Sequence, residues 1–110
     1  MSFDVIATDP FERKLKKLAK KHKSLKADLS IIIDQLTISP DLGTPLGKDC
    51  YKIRVAITSK SKGKSSGARL ITYIRVVKET VYLMDIYDKS DQSTISDKEL
   101  RLLVDLLAED

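Results

Sequence analysis

A chain of 110 residues, 42% hydrophobic and 33% charged, is long enough to bury one core and too short for two, and its apolar residues fall in periodic blocks, which excludes a disordered polyelectrolyte. A single cysteine, Cys50, and a single histidine, His22, exclude an intrachain disulfide and the common Cys/His zinc clusters, so one domain over residues 1–110 in a reducing compartment is expected. The net charge of +4 hides an uneven distribution, with nine Lys or Arg against one acid in residues 48–78 and three against nine in residues 79–110, and a centre that basic points to a polyanionic partner.

Phe3, Val5 and Ala7 alternate with their neighbours and predict a short first strand, and Asp9 before Pro10 reads as a helix N-cap with proline at the first helical position. Phe11, Leu15, Leu18, Ala19 and His22 recur at helical spacing, while Arg13, Lys14, Lys16, Lys17, Lys20 and Lys21 fill the remaining faces. The helix is amphipathic and basic, its lysines are expected to be solvated, and His22 is expected to be a partly buried surface residue. Ser24 offers a second cap, and Leu25, Leu29, Ile32, Ile33 and Leu36, broadened by Ile31, predict a second helix and hence a helical hairpin. Residues 39–47 hold Pro40, Gly43, Pro45 and Gly47 and read as a loop.

Beyond that loop, Tyr51, Ile53, Val55 and Ile57 alternate with Lys52, Arg54, Ala56 and Thr58, the period of a strand with one buried face. Residues 60–67 read as a Ser/Lys/Gly turn, and residues 68–77, apolar or β-branched except chiefly for Arg69 and Arg75, as a central strand. Lys78 and Glu79 connect it tightly to a strand from Thr80 to Tyr87, which makes three consecutive antiparallel strands. After a turn-like stretch, Ser96-Asp97-Lys98-Glu99 is a capping box, and Leu100, Leu103, Val104 and Leu107 define a last helix on the sheet or its edge. The expected fold is α+β, an antiparallel sheet of about four strands with an N-terminal helical hairpin and a C-terminal helix. No apolar run approaches the ~20 residues of a membrane span, and residues 1–10 lack the basic-then-apolar layout of a signal peptide. A cytoplasmic protein that engages no membrane is expected.

Period 2 places Lys52 and Arg54 on one face of their strand, and Arg69, Tyr73 and Arg75 on one face of the next. Directly opposed cations repel by tenths of a kcal/mol or more and so imply a bound anion, phosphate being the obvious candidate; the alternative is the solvated face of an antiparallel sheet. Gly63-Lys64-Ser65 mimics the end of a Walker loop, but Thr58 stands where the first glycine is required and a strand follows instead of a helix. What remains is a basic hairpin tip whose Lys60, Lys62 and Lys64 grip a nucleic-acid backbone. Asp85 and Asp88, three apart in a strand, alternate faces, so no metal site is expected. With one histidine, a general base falls to Lys, Tyr, Asp or Glu, a Lys or Tyr being shifted by neighbouring cations. Tyr87, beside Asp88 and Lys89, is either a base-stacking or proton-transferring phenol or an ordinary strand-end aromatic.

The order strand, two helices, three antiparallel strands, helix, together with Asp49-Cys50-Tyr51-Lys52-Ile53-Arg54-Val55, Gly63-Lys64-Ser65-Ser66-Gly67-Ala68-Arg69-Leu70-Ile71 and Val81-Tyr82-Leu83-Met84-Asp85-Ile86-Tyr87 followed by Asp88-Lys89, resembles the RelE/ParE superfamily of toxins, and most of all its RelE/HigB branch. The resemblance spans nearly the whole chain, and the Gly-x-Arg before a hydrophobic strand is its most specific element. It implies the toxin of a type II toxin-antitoxin system, a ribosome-dependent endoribonuclease that enters the A site of the small ribosomal subunit and cuts mRNA, neutralised by a cognate antitoxin protein. The implied chemistry is attack of a ribose 2′-hydroxyl on the adjacent phosphodiester, leaving a cyclic phosphate and a 5′-hydroxyl, with no metal or other cofactor.

Carried over position by position, the family's basic pair falls on Lys52 and Arg54 and its next-strand arginine on Arg69. Lys52 would bind phosphate or accept the 2′-hydroxyl proton, and Arg54 and Arg69 would hold the scissile phosphate. The family's C-terminal Arg and Tyr fall on Ser90 and Ser96, the latter a helix cap, so Lys89 and Tyr87 stand in for them. The expected catalytic set is therefore Lys52, Arg54, Arg69, Tyr87 and Lys89, and the expected RNA-contacting set Lys60, Lys62, Lys64, Tyr73 and Arg75. Two alternatives stay open: a ParE-like toxin that binds gyrase on the same scaffold, and a relic that binds its antitoxin without catalysis.

Overall fold

In the computed structural model, which describes residues 2–59 and 67–108, the first strand is β1 (Asp4–Ala7) and the helical hairpin is α1 (Asp9–Lys21) followed by α2 (Leu25–Ile38). Thr8, not Asp9, caps α1: its hydroxyl accepts from Phe11 N at 3.4 Å and donates to the Leu83 carbonyl at 2.8 Å, which ties the helix start to the sheet. Asp9 moves into the first turn, where its charge favours the positive end of the helix dipole. Ser24 flanks α2 but makes no capping bond. Its hydroxyl instead donates to Asp28 at 2.7 Å and accepts from Ser59 N at 2.8 Å, while Asp28 accepts from Thr58 N and Thr58 Oγ1, both at 3.0 Å. Burial pushes the Asp28 carboxyl up, but these bonds from Ser24 and Thr58 outweigh it and hold the group below the ordinary aspartate range. Residues 58–59 are thereby pinned to the start of α2.

The remaining strands are β2 (Thr44–Gly47), β3 (Cys50–Val55), β4 (Ala68–Arg75) and β5 (Thr80–Asp88), and the sheet order is β1-β5-β4-β3-β2. β1 runs parallel to β5, and every other neighbouring pair is antiparallel. The sheet thus has five strands instead of about four. The additional one is β2, in the segment read as a loop, where Thr44 pairs with Lys52 and Pro45 with Tyr51. Proline is compatible with an edge strand, where no partner needs its missing N–H. Gly43, at φ 103°, brings the chain so close that a Cβ would lie 2.5 Å from the Lys52 carbonyl oxygen. The proline and glycine signals marked an edge strand, not its absence. The link between β4 and β5 is a 3-10 turn over Val76–Lys78 closed by Glu79 at φ 47°, so β4 stops at Arg75, short of Val77.

The sheet is buried on both faces. Against one face, Phe11, Leu25, Leu29 and Leu36 of the hairpin pack on Ile53, Val55, Leu70, Ile74, Val81, Leu83 and Ile86. Against the other, α3 (Asp97–Ala108) lays Leu100, Leu103, Val104 and Leu107 over Cys50, Ile71, Tyr82 and Met84. Ser96 caps α3 as expected, with Glu99 N donating to Ser96 Oγ at 3.1 Å, but the Glu99 carboxylate accepts from the Ser96 hydroxyl at 3.2 Å instead of closing the box on its backbone N–H. Among the described residues no helix is long and apolar enough to cross a membrane.

Candidate functional site

The face of the sheet that carries α3 also carries the basic cluster. On β3, Tyr51, Ile53 and Val55 join the hairpin-side core while Cys50 joins the α3 side, so Lys52 and Arg54 share the α3 face by alternation. On β4, Leu70 and Ile74 face the hairpin and Ile71 and Tyr73 face α3, which places Arg69 on the α3 face as well. The register then sets Arg54 directly opposite Arg69, and Arg69 directly opposite Tyr87. Neighbouring strands lie about 4.8 Å apart, so three side chains on three strands form one row across the sheet. Lys52 stands in the adjacent row, opposite Ile71.

Tyr87 reaches this face through an irregularity. Val81 and Leu83 belong to the hairpin-side core and Tyr82 and Met84 to the α3 side, so strict alternation would send Tyr87 toward the hairpin. The β4–β5 register shifts between Ile71, opposite Asp85, and Thr72, opposite Leu83, which leaves Met84 as the extra residue of a bulge. Beyond the bulge the parity is reversed: Ile86 faces the hairpin and Tyr87 the site.

Within the row, Arg54 is exposed while Arg69 is 6% and Tyr87 4% exposed, and Lys52 in the adjacent row is half-buried. The Arg69 guanidinium donates to the Ala68 carbonyl at 3.1 Å, and among the described residues no carboxylate lies within ion-pairing distance of it. Arg69 is thus a buried cation with a second cation directly opposite, and no carboxylate among the described residues pairs with it. Gly67 prepares this geometry. Its φ of 122° is open to glycine, and a Cβ there would meet the Val55 carbonyl oxygen at 2.7 Å; it also accepts from Lys89 N at 3.0 Å. The Gly-x-Arg element therefore seats the start of β4 against both neighbours and delivers Arg69 two residues later.

The Tyr87 hydroxyl is buried, and among the described residues it makes no hydrogen bond of good geometry. Burial raises its pKa above the ordinary tyrosine range, and Thr94 and the Arg69 charge pull it back only in part. Thr94 Oγ1 itself directs its hydrogen bond to the Ile95 carbonyl, at 3.5 Å. The phenol is therefore protonated at neutral pH, a hydrogen-bond or proton donor and not a resident base.

Lys89 is half-buried directly after β5, next to the row. Tyr73 and Arg75 share the face but lie elsewhere on it. The Tyr73 ring is 6.3 Å from that of Tyr82, and the Arg75 guanidinium sits 5.9 Å over the Tyr82 ring and donates to the Leu107 carbonyl at 3.2 Å. Arg75 is six residues from Arg69, roughly 20 Å along an extended strand, and it serves the C-terminal carbonyls of α3. Lys60, Lys62 and Lys64 lie outside the described residues. Asp85 pairs with Lys14 at 2.7 Å and Asp88 with His22 at 3.1 Å. His22 thus meets the end of β5, a contact between residues 66 positions apart that no sequence pattern signals. Cys50 is fully buried, and burial, reinforced by the Asp49 charge, pushes its thiol up to about 11.

This architecture has close structural parallels. An E. coli RelE toxin double arginine-to-alanine mutant in the free state superposes with a TM-score of 0.61 at 22% identity, covering 84% of this chain and 90% of that one. The intact E. coli RelBE toxin-antitoxin complex contains a chain that superposes with a TM-score of 0.61 at 20% identity, covering 77% of this chain and 94% of that one. Residues 10–109 match the family described as the RelE toxin of the RelE/RelB toxin-antitoxin system. With the match spanning nearly the whole chain, this protein belongs to the RelE toxin family.

Proposed function

We propose that this toxin is an mRNA endoribonuclease that works on the ribosome in the cytoplasm and is neutralised by a cognate antitoxin. The observation that carries this reading is the buried Arg69 guanidinium, unpaired with any described carboxylate and flanked across the strands by Arg54 and Tyr87. Arg54 and Arg69 hold the scissile phosphate, and Lys52 binds a neighbouring phosphate oxygen or takes the 2′-hydroxyl proton. As the 2′-oxygen attacks phosphorus, negative charge accumulates on the phosphorane oxygens, and fixed guanidinium donors stabilise that charge more than the ground state. The protonated Tyr87 phenol is suited to donate to the departing 5′-oxygen. Because that hydroxyl is buried, substrate reaches it only when the connection from β5 to α3, whose Ile95 packs in the same cluster, shifts aside.

The test is to add the purified protein to programmed ribosomes and map transcript 5′ ends, with and without Arg69→Ala. Cleavage within the A-site codon that leaves 5′-hydroxyl ends, lost in the variant, supports the reading. Intact transcripts accompanied by gyrase-dependent DNA damage in expressing cells would overturn it in favour of gyrase inhibition. Intact transcripts with antitoxin binding retained would reduce the protein to a binding module.

A further inference from the structure

The Asp88 carboxylate sits between two candidate site residues, Tyr87 and Lys89, and is 5% exposed. Oδ2 meets His22 Nε2 at 3.1 Å, and Oδ1 accepts from Ser90 N at 3.0 Å and Ser90 Oγ at 2.7 Å. The Asp88 carbonyl accepts from Asp91 N at 3.0 Å and Gln92 N at 3.1 Å. One residue therefore winds the first turn of the β5–α3 connection and also joins it to the end of α1. His22 is held in turn. It is the C-cap of α1, its N–H donates to the Leu18 carbonyl at 3.0 Å, and its carbonyl accepts from Leu25 N at 3.2 Å at the start of α2. Its side chain is only 13% exposed. Beside the pair, Lys14, Lys17, Lys21 and Asp91 line a groove of about 240 Å³ whose wall includes Tyr87.

A buried carboxylate in a small domain costs more than an apolar residue of the same size unless both oxygens are satisfied, and here it stands where a one-residue shift would misplace both neighbours. We propose that His22 and Asp88 are a positioning pair: they fix the root of the β5–α3 connection against α1 and so aim Tyr87 and Lys89 at the phosphate held by Arg69. The inference rests on the endoribonuclease reading for its chemistry and on the hydrogen bonds alone for its geometry. Neither residue touches the substrate. The pair sets where the donors stand, so its loss lowers the rate on bound substrate while leaving binding by Lys52 and Arg54 intact.

The experiment compares the full-length wild type with His22→Ala and His22→Gln. Gln can place an amide nitrogen near the position of Nε2 and keep the bond to Asp88. The ribosome-cleavage rate at saturation and the half-saturating ribosome concentration are measured alongside amide hydrogen exchange of residues 90–92. His22→Ala is expected to slow the saturated rate roughly tenfold to a hundredfold, with half-saturation within about twofold of wild type. Protection of the Asp91 and Gln92 amides is expected to fall in the same variant. His22→Gln restores both. A His22→Ala protein that cleaves at the wild-type saturated rate overturns the proposal. So does one in which only the half-saturating concentration moves. If the wild type cleaves nothing, the endoribonuclease reading fails and hydrogen exchange alone decides the pair. Loss of protection confined to residues 90–92 and restored by Gln then supports it, and unchanged protection overturns it.

Discussion

Replacing Arg69 by methionine is expected to raise stability while abolishing function. The wild-type guanidinium is 6% exposed, with one carbonyl acceptor among the described residues, at 3.1 Å, and Arg54 directly opposite. Desolvating an ion costs several kcal/mol in a real protein. The bond to the Ala68 carbonyl returns roughly 1.5–3 kcal/mol of that, and the opposed arginine subtracts a few tenths more. Methionine fills the same depth with an unbranched apolar chain and neither the ion nor the repulsion, so the variant should gain about 1–2 kcal/mol. For a domain of this size that is a rise in melting temperature of roughly 4–8 °C. Thermal melts and urea titrations with an unchanged m value measure it. In parallel, ribosome-dependent cleavage should drop about 100-fold to 1000-fold, the loss expected when a transition-state donor is removed. A methionine variant that melts below wild type would refute the argument, because Arg69 would then be a structural anchor whose partners outweigh its burial.

Tyr87→Phe removes a buried hydroxyl that makes no hydrogen bond of good geometry among the described residues, so thermal melts should show stability unchanged or raised by about 1 kcal/mol, while cleavage falls with little change in ribosome affinity. Gly67→Ala forces a Cβ to 2.7 Å from the Val55 carbonyl oxygen at φ 122°, and urea unfolding should show a loss of more than about 1 kcal/mol. Asp28→Asn tests the anchoring of residues 58–59. Since the Asp28 pKa is lowered on folding, its contribution is present above the ordinary aspartate range and is lost as pH falls through the depressed value. The difference in urea midpoint between wild type and variant should therefore be constant near neutrality and close below about pH 4. Cys50, buried and with its thiol pushed up to about 11, should resist thiol reagents at pH 8 in the native protein and react at once in urea.

The parity of β3 and β4 was legible because both strands are regular over the site. The alternation of Tyr51, Ile53 and Val55 with Lys52 and Arg54, and of Leu70 with Arg69, matches the two core clusters. The helical hairpin and the Ser96 cap were readable for a similar reason, since each depends on residues three or four apart. Tyr73 and Arg75 have the right parity but lie away from the row, Tyr73 against the Tyr82 ring and Arg75 on the Leu107 carbonyl of α3, because parity assigns a face and says nothing about which end of that face a later helix covers. β2 escaped notice because an edge strand in a Pro/Gly segment takes its pairing from β3 and not from its own composition.

The basic row shows where the boundary lies. Local alternation by itself determined that Lys52, Arg54 and Arg69 emerge on one side of their strands, because side-chain direction repeats every two residues along any regular strand. Only the tertiary structure decided that Tyr87 joins them. One unpaired residue, Met84, reverses the parity of everything after it in β5, and a bulge is set by how two strands register against each other, which no single strand encodes. The same holds for the bond from His22 to Asp88, since the packing of α1 on β5 alone brings the two side chains to 3.1 Å.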